Sequence, residues 1–132
     1  MSELSDKETL RYSRHLLLEE VGLEGQLALK SSTVAVVGAG GLGSPALLYL
    51  AAAGIGTLIL IDDDEVELSN LQRQVLYKIN HLGQSKVAAA GKVLASLNNQ
   101  INIVTYCQKL DESNAANMLK GADIVLDCSD NF

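Results

Sequence analysis

The sequence predicts an α/β protein with a doubly wound, mainly parallel sheet, helices on both faces, and an N-terminal helical segment in front. Three observations carry that prediction. Short apolar runs alternate with stretches of helical periodicity. From Ser31 to Ile61 there is no charged residue, as expected of parallel strands covered on both faces. The first of these runs, Thr33-Val34-Ala35-Val36-Val37, leads straight into Gly38-Ala39-Gly40-Gly41-Leu42-Gly43.

The elements follow in order. Ser5-Asp6-Lys7-Glu8 reads as a capping box, which opens a helix running to about Glu20 and ending near Gly22. A second short helix spans about Leu23 to Leu29. Thr33–Val37 is the first core strand. A helix starts at about Ser44, with Pro45 tolerated in its first turn, and Gly54 and Gly56 stop it. Thr57–Ile61 is the second strand. Asp62–Asn80 reads as loop with a short helix around Asn70–Val75. Lys86–Asn98 is a helix with Val87, Ala90, Leu94 and Leu97 on one stripe. Ile101–Tyr106 is a third strand, Asn114–Leu119 a short helix and Ile124–Cys128 a fourth strand. Residues 1–30 thus form the N-terminal helical segment, and 31–132 a nucleotide-binding domain of Rossmann-like form. Four strands ending at Asn131-Phe132, with an uncovered edge, read as the front part of a longer protein.

Bulk properties narrow the function classes. A chain of 132 residues with 48% hydrophobic and 20% charged residues makes one globular domain. The net charge of -6 argues against nucleic acid as the main partner. The uncharged run resembles a membrane span in hydropathy alone, but six glycines and Pro45 break it into strand, turn and helix. The acidic start Met1-Ser2-Glu3-Leu4-Ser5-Asp6 has no apolar signal-peptide core, and a cytoplasmic protein is expected. Cys107 and Cys128 read as free, buried thiols in strand-like runs. His15 and His81 stand alone, with no metal-ligand spacing.

The chemistry begins at the glycine loop. Gly38 suits the tight turn, Gly40 a close phosphate and Gly43 helix–strand packing, while Gly41 leaves more backbone open to a ligand. The helix that follows presents free N–H groups to an anion. Asp62 lies 24 residues after Gly38, at the end of the second strand, where a carboxylate can accept both ribose hydroxyls. That much suits NAD, FAD or ATP equally. Asp63 and Asp64 are by default solvated loop carboxylates, with Asp64 a weaker candidate for a place near the phosphates.

Arg73 and Lys86 separate the options. A dinucleotide carries only a pyrophosphate, whereas a triphosphate under attack needs cations on its non-bridging oxygens. Asp130 can hold the magnesium that accompanies ATP. Each residue alone would more often be a surface charge; together with the loop they point to triphosphate chemistry.

These residues carry a resemblance to the ThiF/MoeB/HesA family of adenylyltransferases, relatives of the ubiquitin-activating enzymes. It rests on Arg11-Tyr12-Ser13-Arg14-His15, Gly38–Gly43, Asp62-Asp63-Asp64, Ser69-Asn70-Leu71-Gln72-Arg73-Gln74, Lys86, and Asp127-Cys128-Ser129-Asp130-Asn131. The resemblance implies that MgATP is attacked at its α-phosphate by the C-terminal Gly-Gly carboxylate of a ubiquitin-like sulfur carrier, in thiamine or molybdopterin biosynthesis. Gly41 would contact the nucleotide, Asp62 the ribose, and Asn70 and Arg73 the phosphates, with Ser69 and Gln72 in the same hexad. Lys86 would stabilise charge at the α-phosphate, Asp130 would hold magnesium with Asn131 beside it, and Arg14 would reach the partner's phosphates across a homodimer. Members of the family are longer, and any zinc would belong to cysteine pairs in a C-terminal half that this chain does not contain. Cys128 matches a structural cysteine of the strand-end motif and is not a nucleophile candidate. A nicotinamide-dependent oxidoreductase and a non-catalytic subunit of the same fold are the alternatives.

Overall fold

The computed structural model describes residues 3–11, 22–38, 43–66 and 83–128. The capping box opens the chain: the Ser5 hydroxyl accepts from the Glu8 N–H at 3.1 Å and the Glu8 carboxylate from the Ser5 N–H at 3.0 Å. Two orphan donors at the head of α1 (Asp6–Arg11) are thereby satisfied. The continuation expected to about Glu20 lies outside the described residues. In α2 (Gly22–Lys30), Lys30 Nζ donates to Glu8 Oε1 at 2.7 Å and to the Glu3 carbonyl at 2.6 Å, tying the two helices together.

Four parallel strands follow, β1 (Thr33–Val37), β2 (Thr57–Ile61), β3 (Asn102–Tyr106) and β4 (Ile124–Asp127), in the order β3-β2-β1-β4. Side chains alternate across a strand, so each central strand feeds two cores. Val34, Val36, Leu58 and Leu60 face one side, under α3 (Gly43–Ala53) and α4 (Lys86–Leu97); Ala35, Ile59 and Ile61 face the other, with Met118 of α5 (Ala115–Met118). Burial on both faces explains why Ser31–Ile61 carries no charge. The edge strands are less covered, and Val104, Ile124 and Val125 are exposed.

Helix ends are held by buried amides. Gln26 donates to the Ala53 carbonyl and Asn98 to the Ala51 carbonyl, both at 2.8 Å, the latter shared with the Gly54 N–H at 3.2 Å, so the end of α3 is tied to its neighbours. Gly54, at φ 92°, ends that helix. Gly56 has a different reason: a Cβ there would lie 1.8 Å from the Lys30 carbonyl oxygen.

Three expectations need correction. Val87, Ala90 and Leu94 are buried as a stripe, but Leu97 is 40% exposed. At the last turn Asn98 points inward to hold the Ala51 carbonyl, and Leu97 joins Pro45, Leu48, Tyr49 and Ala52 in a shallow apolar surface. Cys107 and Cys128 are free but not buried: Cys107 is exposed and Cys128 half-buried, because each follows the last residue of an edge strand. The segment after β2, expected as loop, contains a short antiparallel bridge, Glu65↔Ser85, and the short helix expected around Asn70–Val75 lies outside the described residues. Among the described residues no helix is long and apolar enough to cross a membrane.

Candidate nucleotide site

The C-terminal ends of the strands open onto a cavity of about 480 Å³, within the range of roughly 300–1,000 Å³ usual for ligand sites. Open α/β sheets present their ligands at this edge, where neighbouring strands send their crossovers to opposite faces.

Each described member of the site is placed by an identifiable contact. Gly38 leaves β1 at φ 92°, a backbone conformation that suits glycine, and its N–H donates to the Ile61 carbonyl at 2.8 Å. The turn is thus laced to the end of β2, and Gly43 opens α3 after it. Asp62 is the next residue along β2's line, with its N–H donated to the Tyr106 carbonyl at 3.2 Å. Its Oδ1 accepts the Asp64 N–H at 2.7 Å, which fixes the carboxylate at the cavity's edge.

Lys86 is the least expected in its setting. It is 5% exposed and stands at the first position of α4, behind the N-cap Ser85, whose hydroxyl accepts from Ala88 at 3.1 Å. A cation at a helix N-terminus opposes the macrodipole, and burial adds a desolvation penalty. The fold holds it there through backbone: Lys86 N–H donates to the Asp64 carbonyl at 2.9 Å, and Val66 N–H to the Gln84 carbonyl at 2.9 Å. Lys86 Nζ then lies 3.7 Å from Asp64 Oδ2, a carboxylate whose side chain is 68% exposed. A buried cation at a cavity wall, placed against its own helix, is suited to neutralising an anion that enters from solvent.

Gly38, Asp62, Asp64 and Lys86 therefore meet in one cavity. Gly40, Gly41, Arg14, Ser69, Asn70, Gln72, Arg73, Asp130 and Asn131 lie outside the described residues. The carboxylates of Asp62, Asp63 and Asp64 have oxygens within 4.8 Å of one another, a hard oxygen set of the kind magnesium takes. The structure also brings in residues that sequence patterns did not single out, Gln108, Lys109 and Leu110 from the turn after β3. Only strand order could have found them, since no local motif marks them. Cys128 lines the cavity as well; burial and the neighbouring Asp127 charge raise its thiol above the usual range, which keeps it protonated and a poor nucleophile.

A doubly wound parallel sheet with a glycine turn after β1 and a carboxylate after β2 defines a Rossmann-like α/β protein. The chain belongs to the ThiF family, whose pattern matches residues 12–132. It is 47% identical over 126 residues to a probable molybdopterin-synthase adenylyltransferase of Porphyra purpurea, covering 96% of this chain and 33% of that protein. It is 49% identical over 122 residues to the SAMP-activating enzyme E1 of Haloferax volcanii, covering 92% of this chain and 45% of that one. Among solved structures, E. coli tRNA N6-threonylcarbamoyladenosine dehydratase TcdA in complex with ATP superposes with a TM-score of 0.90 at 28% identity, over 98% of this chain and 53% of that one. The chain thus spans a third to under half of the two relatives' lengths.

Proposed function

We propose that this chain is the nucleotide-binding part, residues 31–132 behind the helical segment 1–30, of a homodimeric, cytoplasmic, ATP-dependent adenylyltransferase. Its second substrate is the C-terminal glycine carboxylate of a ubiquitin-like sulfur carrier, in the molybdopterin branch that the name of the Porphyra purpurea relative indicates, with thiamine biosynthesis the next choice. The observation that carries the reading is Lys86, a buried lysine at a helix head opening onto the same cavity as Gly38 and Asp62.

The chemistry requires little of the protein beyond placement. The carrier's carboxylate is ionised at neutral pH and needs no base. One carboxylate oxygen attacks the α-phosphorus, the bond to the β-phosphate bridging oxygen breaks, and pyrophosphate leaves behind an acyl-adenylate. Two anions must approach, so alignment and neutralisation supply the rate. Lys86 and Arg73 serve the phosphates with Asn70; Asp62 takes the ribose; Arg14 of a second copy completes the charge. Magnesium supplies further neutralisation of the triphosphate when bound, and Asp130, with Asn131 beside it, is the residue assigned to hold it. An oxidoreductase reading leaves Lys86 without a task.

Carrier-dependent exchange of labelled pyrophosphate into ATP, measured on the full-length gene product, tests the proposal. Exchange only with a Gly-Gly-ended carrier supports it, and comparison of carriers names the branch. Absence of exchange in a folded protein that binds NADH would replace it with the oxidoreductase reading.

A further inference from the structure

One wall of the cavity has no role in that chemistry. Phosphates belong over the Gly38 turn of β1 and the ribose over Asp62 of β2, so a nucleotide laid along this line reaches the end of β3, the next strand outward. There the β2–β3 ladder ends at Ile61↔Tyr106, and Gln108, Lys109 and Leu110 line the cavity. Leu110 is half-buried against the Ile59, Ile61 and Met118 cluster and presents an apolar surface suited to a flat base.

Past Tyr106 the ladder ends, and the Asn114 side chain ties this wall to the head of α5, beside Asp111, whose Oδ1 braces the same turn. Asn114 Nδ2 donates to the Lys109 carbonyl at 2.9 Å, and Asn114 Oδ1 accepts the Asp111 N–H at 2.9 Å. Asn114 occupies the N-cap of α5, yet makes no side-chain cap bond to its own helix. Both faces of the amide go to the turn instead. Asn114 is itself rooted by backbone, accepting from Met118 at 3.0 Å and donating to Asp111 Oδ1 at 3.1 Å.

We propose that Asn114 is a positioning residue for the nucleotide, holding Gln108–Leu110 as the wall on which the nucleobase rests. The proposal rests on the nucleotide reading of the cavity. An amide suits the task because the turn needs one donor and one acceptor on the same short planar group; aspartate loses the donor and alanine loses both.

The test uses the full-length protein, with ATP and inorganic tripolyphosphate as probes in calorimetric titrations and thermal melts alongside. Asn114→Ala should weaken ATP by about tenfold while leaving tripolyphosphate, which has no base, unchanged. Leu110→Ala, which keeps the Asn114 bonds, should show the same selective loss, and it decides the matter if Asn114→Ala melts early. Equal weakening of both probes, or ATP affinity unchanged in either folded variant, overturns the wall. Failure of the unaltered protein to bind ATP at all overturns the nucleotide reading itself and the wall with it, a result distinct from the others.

Discussion

Lys86 and Asp64 are joined twice: the Lys86 N–H donates to the Asp64 carbonyl at 2.9 Å, and Lys86 Nζ stands 3.7 Å from Asp64 Oδ2. The backbone bond sets where α4 begins, and the side-chain approach aims the ammonium along the cavity wall. The ion pair is loose and half open to water, so its own stabilisation is small. Its consequence is geometric, because a buried ammonium held beside an exposed carboxylate can exchange that partner for a phosphate.

Replacing this lysine therefore separates catalysis from folding. Lys86→Ala should lower carrier-dependent adenylation by about 10²–10³-fold, the usual effect of removing one preorganised donor to a developing charge. Arg73→Ala should act in the same direction. Thermal unfolding should not fall for Lys86→Ala, since a buried cation against the helix dipole is removed. Near-wild-type exchange in Lys86→Ala would remove the residue from the mechanism.

The Glu8–Lys30 contact predicts an acid-sensitive contribution to stability. Burial pushes the Glu8 carboxyl up, but Lys30 and the Ser5 N–H and hydroxyl outweigh it and hold the group below its ordinary value. A lowered folded value stabilises above the ordinary glutamate range, about 4.3, and that stabilisation is lost as pH falls through the folded value. Glu8→Gln keeps a capping acceptor and removes the charge. Denaturant melts should place it about 1 kcal/mol below wild type at neutral pH, with the gap closing in acid. A gap that persists in acid would mean that packing, not charge, is responsible.

The two cysteines should differ towards a thiol reagent. Cys107 is exposed, whereas burial and the Asp127 charge suppress the Cys128 thiolate. Iodoacetamide followed by mass spectrometry should label Cys107 first at neutral pH, with Cys128 gaining as pH rises. Cys128 lines the cavity, so saturating ATP should slow its labelling further. Faster labelling of Cys128 would contradict its environment.

Gly56 is predicted to be intolerant of any side chain. An added Cβ would lie 1.8 Å from the Lys30 carbonyl oxygen, a backbone atom that cannot swing aside as a flexible side chain could. Gly56→Ala should reduce stability by about 1–3 kcal/mol or more, read by chemical denaturation. An unchanged midpoint would show that the α2–β1 and α3–β2 connections can part without loss.

The sequence by itself determined the class of fold and its strands. The continuous apolar runs of β1 and β2 call for burial on both faces, and the glycine spacing with Asp62 reads as a nucleotide site. Local patterns have limits that physics explains. Leu97 carries the same helical signal as Leu94, yet only the inward turn of Asn98 decided that it faces water. Cys107 and Cys128 sit in strand-like runs, and only the strand order placed them at the ends of edge strands. The tertiary structure alone decided that Lys86 is buried beside Asp64, through a bridge between segments with no shared motif. It also brought Asn114 and Leu110 to the end of β3, because strand order brings together residues that sequence separation keeps apart.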